Sequence, residues 1–432
     1  MSLKKVLIIS YYWPPIGGSG VQRWLKFVKY LPEFGFQPFV YTPSNPEGSV
    51  LDESLLKDIP EEAVVLKTEI WEPYNIYKFL SGKKKEEKLY LGRIDENGKE
   101  SILKKLAFWF RGNFLIPDPK VFWIKPSVKY LEEIIRKEKI ELIISSGPPH
   151  SMHLIAKKLK QKLGVKWIAD FRDPWTNIDF YKELHLNPIS DFVHKKLEKS
   201  VLKIADLVLV VGNDMKQEAQ SLGAKNVEVI TNGFDDEVNE NQNIKLDSEF
   251  TFAHIGTFSK NRNHPFLWKC MAEICTENQA FSNALKIRFV GPVDEDLKAS
   301  LKENQLFSKT EFIAYLAHKE VIEFQKKSQV LFLSINNSNN AKGILTGKFF
   351  EYLVSGRPIF AIAPKDGDLA YILNETQAGE VVDFEDYQKC KSVLLDMFHK
   401  YEQNKLFNKA SGINKFHRKS LTKNLVEALN KL

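Results

Sequence analysis

The run TGKFFEYLVSGRPI at 346–359 puts a glycine, a lysine and a glutamate where a helix should begin. After Thr346, Gly347 permits close backbone approach, and the first turn of a helix carries N–H groups with no partner inside the helix. Lys348 adds a mobile positive charge. Glu351 follows three residues later, on the same face and one turn deeper. A carboxylate there can accept from two vicinal hydroxyls, as on a ribose. Gly356 suits the helix C-terminus, and Pro358 opens an apolar strand at 359–362. Such an arrangement offers a cradle for a diphosphate with a ribose-binding acid beyond it. The same spacing also fits an ordinary amphipathic helix with Lys348 and Glu351 solvated. A P-loop is excluded, because Lys342 stands where that motif needs glycine and Phe349 where it needs Ser or Thr.

Four other loops carry chemistry-bearing residues. The run YYWPPIGGSGVQR at 11–23 sets Gly17 and Gly18 between a strand and a helix starting near Gly20, where small residues let an anionic group meet backbone amides. It fails as a dinucleotide fingerprint: Arg23 occupies the third glycine position, and the second strand ends in Val40-Tyr41-Thr42 without the ribose-binding acid. The runs SSGPPHSMH at 145–153 and WIADFRDPW at 167–175 follow strands. His150 and His153 could ligate a metal with Asp170 or Asp173, although no HExxH pattern accompanies them. Alternatively Asp170, Arg172 and Asp173 form a buried ion-pair corner, or act directly in catalysis. In HIGTFSKNRN at 254–263, Lys260 and Arg262 bring positive charge to a helix N-terminus, and a second cation site besides Lys348 would suit a diphosphate. Gly291-Pro292 and Tyr315-Leu316-Ala317-His318 also end strands and could border a base.

These loops need strands to hold them. Short apolar runs alternate with helical patterns along the chain, the signature of doubly wound parallel sheets. Strands are expected at 5–10, 39–42, 64–67, 142–145, 167–170, 207–211 and 227–230, then at 252–255, 287–290, 311–314, 330–334, 358–362 and 379–382. The acidic, Asn-rich stretch 235–243 reads as the linker between two Rossmann-like domains, assigned to 1–238 and 239–415. Ligands of such sheets bind beyond the carboxyl ends of the strands, here in a cleft between the domains. The segment 416–432 has a helical apolar stripe that could pack back on the first domain.

A charged insert at 82–100 begins with Lys83-Lys84-Lys85, and an aromatic-basic helix at 102–111 follows; the pair could lie on an anionic bilayer, or the helix could dock on its own domain. The chain has 432 residues, 43% hydrophobic and 27% charged, as in a soluble globular protein. Its net charge of +7 is spread along the chain, favouring anionic small ligands or an acidic membrane surface and arguing against nucleic acid. Cys270, Cys275 and Cys390 lack CxxC spacing and read as free thiols in a reducing compartment. The first apolar run, 6–9, is too short for a signal segment, and nothing approaches a membrane span, so a cytoplasmic protein is expected, peripheral at most at the inner face of the membrane.

Taken together, the PPIGGSG loop, the segments 170–175 and 256–262, and the run from Thr346 to Pro358 resemble the GT-B glycosyltransferases, specifically the retaining family 4 enzymes of bacterial envelope polysaccharide synthesis. The resemblance covers nearly the whole chain. It implies a nucleoside-diphosphate sugar donor in the second domain and a glycan or lipid-linked hydroxyl acceptor in the first, with retention of configuration and neither metal nor further cofactor. By that likeness Lys348, with Lys260 or Arg262, would neutralise the leaving diphosphate and Glu351 would hold the ribose. Gly17, Gly18 and Gly256 would approach the donor, Gly291 and Leu316 would border the base, and His150 would lie over the transferred sugar. Asp170, Arg172 and Asp173 would face the acceptor. One departure stands out. Many members carry E-x7-E, whose second glutamate is Glu351 here, whereas the first position is Gly343; the backbone amides of Gly343 to Leu345 would then meet the sugar. A nucleotide-sugar epimerase and a non-catalytic nucleotide-sugar sensor are the alternatives, and a nicotinamide-dependent oxidoreductase is disfavoured by the failed fingerprint.

Overall fold

The computed structural model describes residues 3–46, 51–72, 102–235, 244–314, 316, 318–408 and 410–432. The insert at 82–100, nearly all of the linker at 235–243, Tyr315 and Ala317 lie outside the described residues. The chain divides into two units, Met1–Asn232 with Arg418–Leu432, and Gly233–His417.

In the first unit β1 (Lys4–Ile9), β2 (Phe36–Pro43), β3 (Val64–Thr68), β4 (Leu142–Gly147), β5 (Lys166–Phe171), β6 (Leu207–Val210) and β7 (Val227–Val229) form one sheet in the order β3-β2-β1-β4-β5-β6-β7. Every pairing is parallel, β1 lying between β2 and β4 with Val6 level with Pro38 on one side and Leu142 on the other. Successive side chains leave a strand on opposite faces. Leu7 and Ile9 therefore enter one core with Ile143 and Trp167, while Val6 and Ile8 enter the other with Trp24 and Val28. Helices α1 (Ser19–Tyr30), α2 (Ile102–Phe114), α3 (Ile124–Glu138), α4 (Ser151–Leu163), α5 (Pro188–Ile204) and α6 (Asn213–Ser221) complete the alternation. The C-terminal helix Arg418–Leu429 belongs to this unit, where Leu421, Leu425 and Leu429 share the core of Val21, Trp24 and Val28.

The second unit repeats the plan. Its strands β8 (Phe250–Ile255), β9 (Leu285–Val290), β10 (Thr310–Ile313), β11 (Val330–Ser334), β12 (Ile359–Ile362) and β13 (Gly379–Val382) pair in parallel in the order β10-β9-β8-β11-β12-β13. Between them run α7 (Pro265–Glu277), α8 (Gln279–Ala284), α9 (Glu295–Glu303), α10 (His318–Lys327), α11 (Gly347–Val354), α12 (Asp368–Thr376) and α13 (Tyr387–Glu402), which makes the C-terminal helix α14. The strands expected from the sequence are all present, displaced by a few residues at their ends.

Strand order in each sheet fixes where loops can meet. The chain winds one way from β1 and the other way from β4, so the loops after these two strands diverge and leave a crevice; β8 and β11 do the same in the second sheet. The loop after β1 is the Gly17–Gly20 run, that after β4 carries His150, that after β8 carries Arg262, and that after β11 leads into Lys348.

A buried charge ties the first crevice together. Asp170, at the end of β5, has no exposed surface and accepts from Arg23 Nη2 at 2.8 Å, Arg23 Nε at 3.1 Å, Trp24 Nε1 at 2.7 Å and Ser146 Oγ at 2.9 Å. Arg23 Nη1 also donates to the carbonyl of Thr231 at 2.9 Å. Asp170→Ala would leave the guanidinium of Arg23 buried without its counter-charge, a change that costs about 3–5 kcal/mol. The melting temperature of the variant should fall by several degrees at least. Calorimetry showing a midpoint within a degree of the wild type would refute this role.

Candidate functional site

In the second unit, α11 is pinned against the end of β8 by one face of one helix. Thr346 is its N-cap, its side chain accepting from the Phe349 amide, and Phe349, Phe350 and Leu353 bury the apolar face. Lys348 and Tyr352 are four residues apart and so share a face. The Tyr352 hydroxyl accepts from the amide of Ile255 at 2.9 Å, and Lys348 Nζ lies 2.8 Å from Nε2 of His254, the residue before. Two adjacent residues of β8 thus fix the rotation of α11 and the position of its lysine.

Hydrogen bonding assigns the tautomer of His254. Its Nδ1 lies 3.0 Å from the carbonyl of Phe332, which can only accept. Nδ1 therefore carries the proton and Nε2 accepts from Lys348. The ring is enclosed by Phe258, Phe289 and Phe332. Burial, then the charges of Lys348 and Arg262, hold the imidazole well below its ordinary pKa, so it is neutral. Burial and the nearby Arg262 also lower the Lys348 ammonium to about 7, against an opposing pull from Glu351. The carboxylate of Glu351, half-buried one turn on, accepts from Gln325 Nε2 at 3.3 Å.

Space around the lysine is kept by glycine. Gly256 has φ +112°, and a Cβ there would lie 2.6 Å from Lys348 Nζ; a Cβ at Gly291, φ +109°, would lie 3.1 Å from the Gly256 carbonyl carbon. Arg262 reaches the same place from the loop after β8, with Nε donating to Asn336 Oδ1 at 3.2 Å and its carbonyl accepting from Ser334 Oγ at 2.6 Å. Lys260 instead lies on the surface, where its amide donates to Asp294. Of the two expected partners for Lys348, Arg262 is the one whose charge acts on it. The amides of Gly343 and Ile344 donate to Asn340 and Ala341 within a 3-10 turn, at 3.0 and 3.3 Å. Turn closure thus engages two of the three amides, Gly343 to Leu345, that were expected to meet the sugar in place of the missing glutamate. Leu345 is buried and Leu316 half-buried in the core beneath α11, and nothing within 4 Å would meet a Cβ at Gly347.

The first unit places its candidates differently. Asp170, Arg172 and Asp173 do not form one corner. Asp170 pairs with Arg23, as described above. Arg172 donates to the carbonyls of Gly20, at 2.8 Å, and Pro148, tying the loop after β1 to the loop after β4. Asp173 is exposed. Gly18 has φ +98° as the N-cap of α1, with open space where a Cβ would be, and Gly17 is half-buried beside it. His150 caps α4; its ring stacks on Trp175 at 4.3 Å and 2°, while Trp175 Nε1 donates to His194 Nδ1 at 3.1 Å. His153 stacks on Phe171 at 4.5 Å. Among the described residues no group of three or more His, Cys, Asp or Glu gathers as a metal site.

The sequence reading passed over His254, Tyr352, Arg23 and Trp175. For His254 a signal existed: it is an ionisable residue at the end of a strand that is otherwise apolar on that side.

Residues 93–238 match the model of Glycosyltransferase Family 4. No curated protein matches the sequence. Solved structures resemble the fold over its whole length. A sucrose-phosphate synthase from Thermosynechococcus elongatus has a TM-score of 0.63 at 12% identity, covering 99% of this chain and 98% of its own. HepE of Anabaena, solved with UDP, has a TM-score of 0.61 at 12% identity, with both chains covered completely. A UDP-N-acetylglucosamine 2-epimerase, so described, from Listeria monocytogenes has a TM-score of 0.53 at 12% identity, covering 100% of this chain and 96% of its own. The protein thus matches the Glycosyltransferase Family 4 model from 93 to 238 and has, over its full length, the two-sheet fold of the GT-B glycosyltransferases.

Proposed function

We propose that the protein transfers a sugar from a nucleoside-diphosphate sugar to a hydroxyl acceptor, with retention and without a metal or further cofactor. The observation that carries this reading is the half-buried Lys348, held by neutral His254 beside Arg262 at the start of α11, with Glu351 one turn deeper. Two cations and a helix N-terminus in partial desolvation suit a group that gains negative charge as it leaves. In the reaction, the bond from the anomeric carbon to the phosphate oxygen breaks, and the nucleoside diphosphate departs with that electron pair. The acceptor oxygen bonds the same carbon on the same face, and its proton passes to the departing phosphate. Lys348 and Arg262 stabilise the leaving diphosphate, Glu351 accepts from the ribose hydroxyls, and Gly256 and Gly291 leave room for the nucleotide. His150 is the first-unit residue that we would assign to the transferred sugar. The fold alone does not separate transfer from epimerisation, since the Listeria protein described as an epimerase shares it. HepE is described with UDP and with UDP-glucose, which makes a uridine nucleotide the first donor to try.

The acceptor is read as membrane-borne. Among the described residues no helix is long and apolar enough to cross a membrane. However, α2 exposes Leu106, Trp109, Phe110 and Phe114, the last 61% exposed, and α5 exposes Ile189, 76%, and Phe192. The C-terminal part of α2 is docked on its own unit, with Asn113 accepting from the Asn187 amide at 2.8 Å and the Asn113 carbonyl accepting from Ser190 Oγ at 3.2 Å. Docking therefore accounts for one end of the helix and leaves its aromatic side outward, as an interfacial helix would carry it.

A thermal-shift panel of UDP, GDP, CMP, dTDP, their common sugars and NADH tests the donor reading. A ligand at 100 times its Kd adds about 2.7 kcal/mol and should raise the midpoint by several degrees. One nucleoside diphosphate should do so, and a shift with NADH alone would overturn the reading. Lys348→Ala should lower kcat about 10²–10³-fold, and wild-type turnover in that variant would remove Lys348 from the mechanism. Glu351→Ala should weaken nucleoside-diphosphate binding roughly tenfold, the loss of about one charged hydrogen bond; unchanged affinity would exclude the ribose contact.

Proton linkage gives a further check. With its ammonium lowered to about 7, Lys348 is largely neutral at pH 8 in the free protein. A bound diphosphate favours the charged form, so binding takes up a proton and Kd rises with pH above 7. Calorimetry at pH 8 in buffers of different ionisation enthalpy should report uptake of up to one proton, abolished in Lys348→Met. Equal enthalpies in all buffers would contradict it. Flotation with anionic liposomes should carry the wild type upward and a Trp109→Ser/Phe110→Ser/Phe114→Ser variant less so. Wild-type protein remaining at the bottom would refute the membrane reading.

A further inference from the structure

The first unit contains a chain of donors that ends on nothing in the protein. Trp167 Nε1 can only donate, and it donates to Ser145 Oγ at 2.9 Å. Ser145 Oγ lies 2.8 Å from His153 Nδ1. The buried Ser145 hydroxyl accepts from the indole and still has one proton to place; among its hydrogen-bond partners His153 Nδ1 is the one acceptor, and with that bond made His153 carries its proton on Nε2. That nitrogen is buried and has no partner, and neither has Nδ1 of His150. Both nitrogens lie near one point: a Cβ on Gly147 would be 2.5 Å from His153 Nε2 and 3.1 Å from His150 Nδ1. His153 has no exposed surface and His150 only 8%.

We propose that His153 is a positioning residue, and that it and His150 hold one hydroxyl oxygen between them beside Gly147, which fixes His150 as the neutral tautomer with its proton on Nε2. The inference rests on the glycosyltransferase reading only in the use made of His150. The chemistry of the pair selects the ligand. A donor, His153 Nε2–H, and an acceptor, His150 Nδ1, are both completed by a group that accepts once and donates once. A hydroxyl does this, whereas a phosphate oxygen does not donate and a cation does not accept. The oxygen belongs to a water or to a substrate hydroxyl. Stacking on Trp175 and Phe171 fixes both ring planes, so the direction in which His150 Nε2–H points is set by the ring and its identity as a donor by the oxygen behind it. The surrounding charges are Arg172 and Asp170, with His194 as a further ionisable ring. Burial dominates over them: His153 is lowered to about 3 and His150 well below its ordinary value, so neither ring charges near neutral pH.

The test is the tautomer itself. The full chain, labelled with 15N-histidine, is examined by two-bond proton–nitrogen correlation between pH 5.5 and 8, with and without UDP-sugar donor. Both rings should be neutral throughout, with the proton on Nε2 in each. The pattern without donor assigns the oxygen to water, and its appearance at His150 only with donor assigns it to a substrate hydroxyl. His150 protonated on Nδ1, or charged at pH 7, in both arms overturns the proposal. His153→Phe keeps the stack on Phe171 and removes the donor. In the folded variant His150 should become a mixture of tautomers, and kcat should drop about tenfold with the donor KM within twofold, a barrier change of about 1.4 kcal/mol. His153→Gln, which restores an N–H, should recover part of the loss. An unchanged His150 tautomer in folded His153→Phe also overturns it. Because the spectra do not depend on turnover, a protein that transfers no sugar but shows the tautomers refutes the activity and not the pairing.

Discussion

Taking a lysine ammonium out of water beside an arginine is unfavourable unless something else is prepared to meet it. The second unit is organised around that constraint. The Tyr352 hydroxyl fixes the rotation of α11 on β8, His254 offers a lone pair because Phe332 has claimed its proton, and Gly256 keeps the surrounding volume free of side chains. None of these groups supplies a full negative charge at contact distance. Glu351 favours the charged lysine only through space, and burial prevails. An anion brought to this place would favour the charged form of Lys348.

The two sheets solve different problems with the same topology. At the first crevice the carboxylate of Asp170 is saturated by Arg23, Trp24 and Ser146, and Arg172 spends its hydrogen bonds on two loop carbonyls. These charges build walls. Buried side-chain atoms without a partner there include Nδ1 of His150 and Nε2 of His153, both on neutral imidazoles, and Nε of Arg172. At the second crevice Arg262 lies close enough to Lys348 to lower its pKa.

Most of this architecture was legible in the sequence because parallel strands buried on both faces leave continuous apolar runs, and the loops that follow them are short and rich in glycine. The segment around Lys348 and Glu351 could be placed on a helix start from spacing alone. Partner choice could not. Nothing in the order of residues says that Asp170 pairs with Arg23, 147 positions away, rather than with Arg172 two positions away. The local pairing fails because β5 ends at Phe171, and Arg172, in the bend beyond it, donates to the carbonyls of Gly20 and Pro148 instead. The choice between Lys260 and Arg262 is hidden for a similar reason. It and Arg262 are equivalent by charge, and only the path of a three-residue turn at Lys260–Arg262 sends one outward and the other toward β11. His254 was missed because a histidine among strand residues reads as core until the tautomer is worked out.

The return of α14 to the first unit has a practical side. The second unit is a single uninterrupted stretch of chain, Gly233–His417, and can be excised as one gene fragment. The first unit is built from two stretches, and its core around Val21, Trp24 and Val28 is closed by Leu421, Leu425 and Leu429. A fragment ending at Asn232 would expose that apolar face, and so would any shortening of the chain end. Isolated study of the first half accordingly calls for α14 to be supplied, either as a separate peptide or joined by a linker after Asn232.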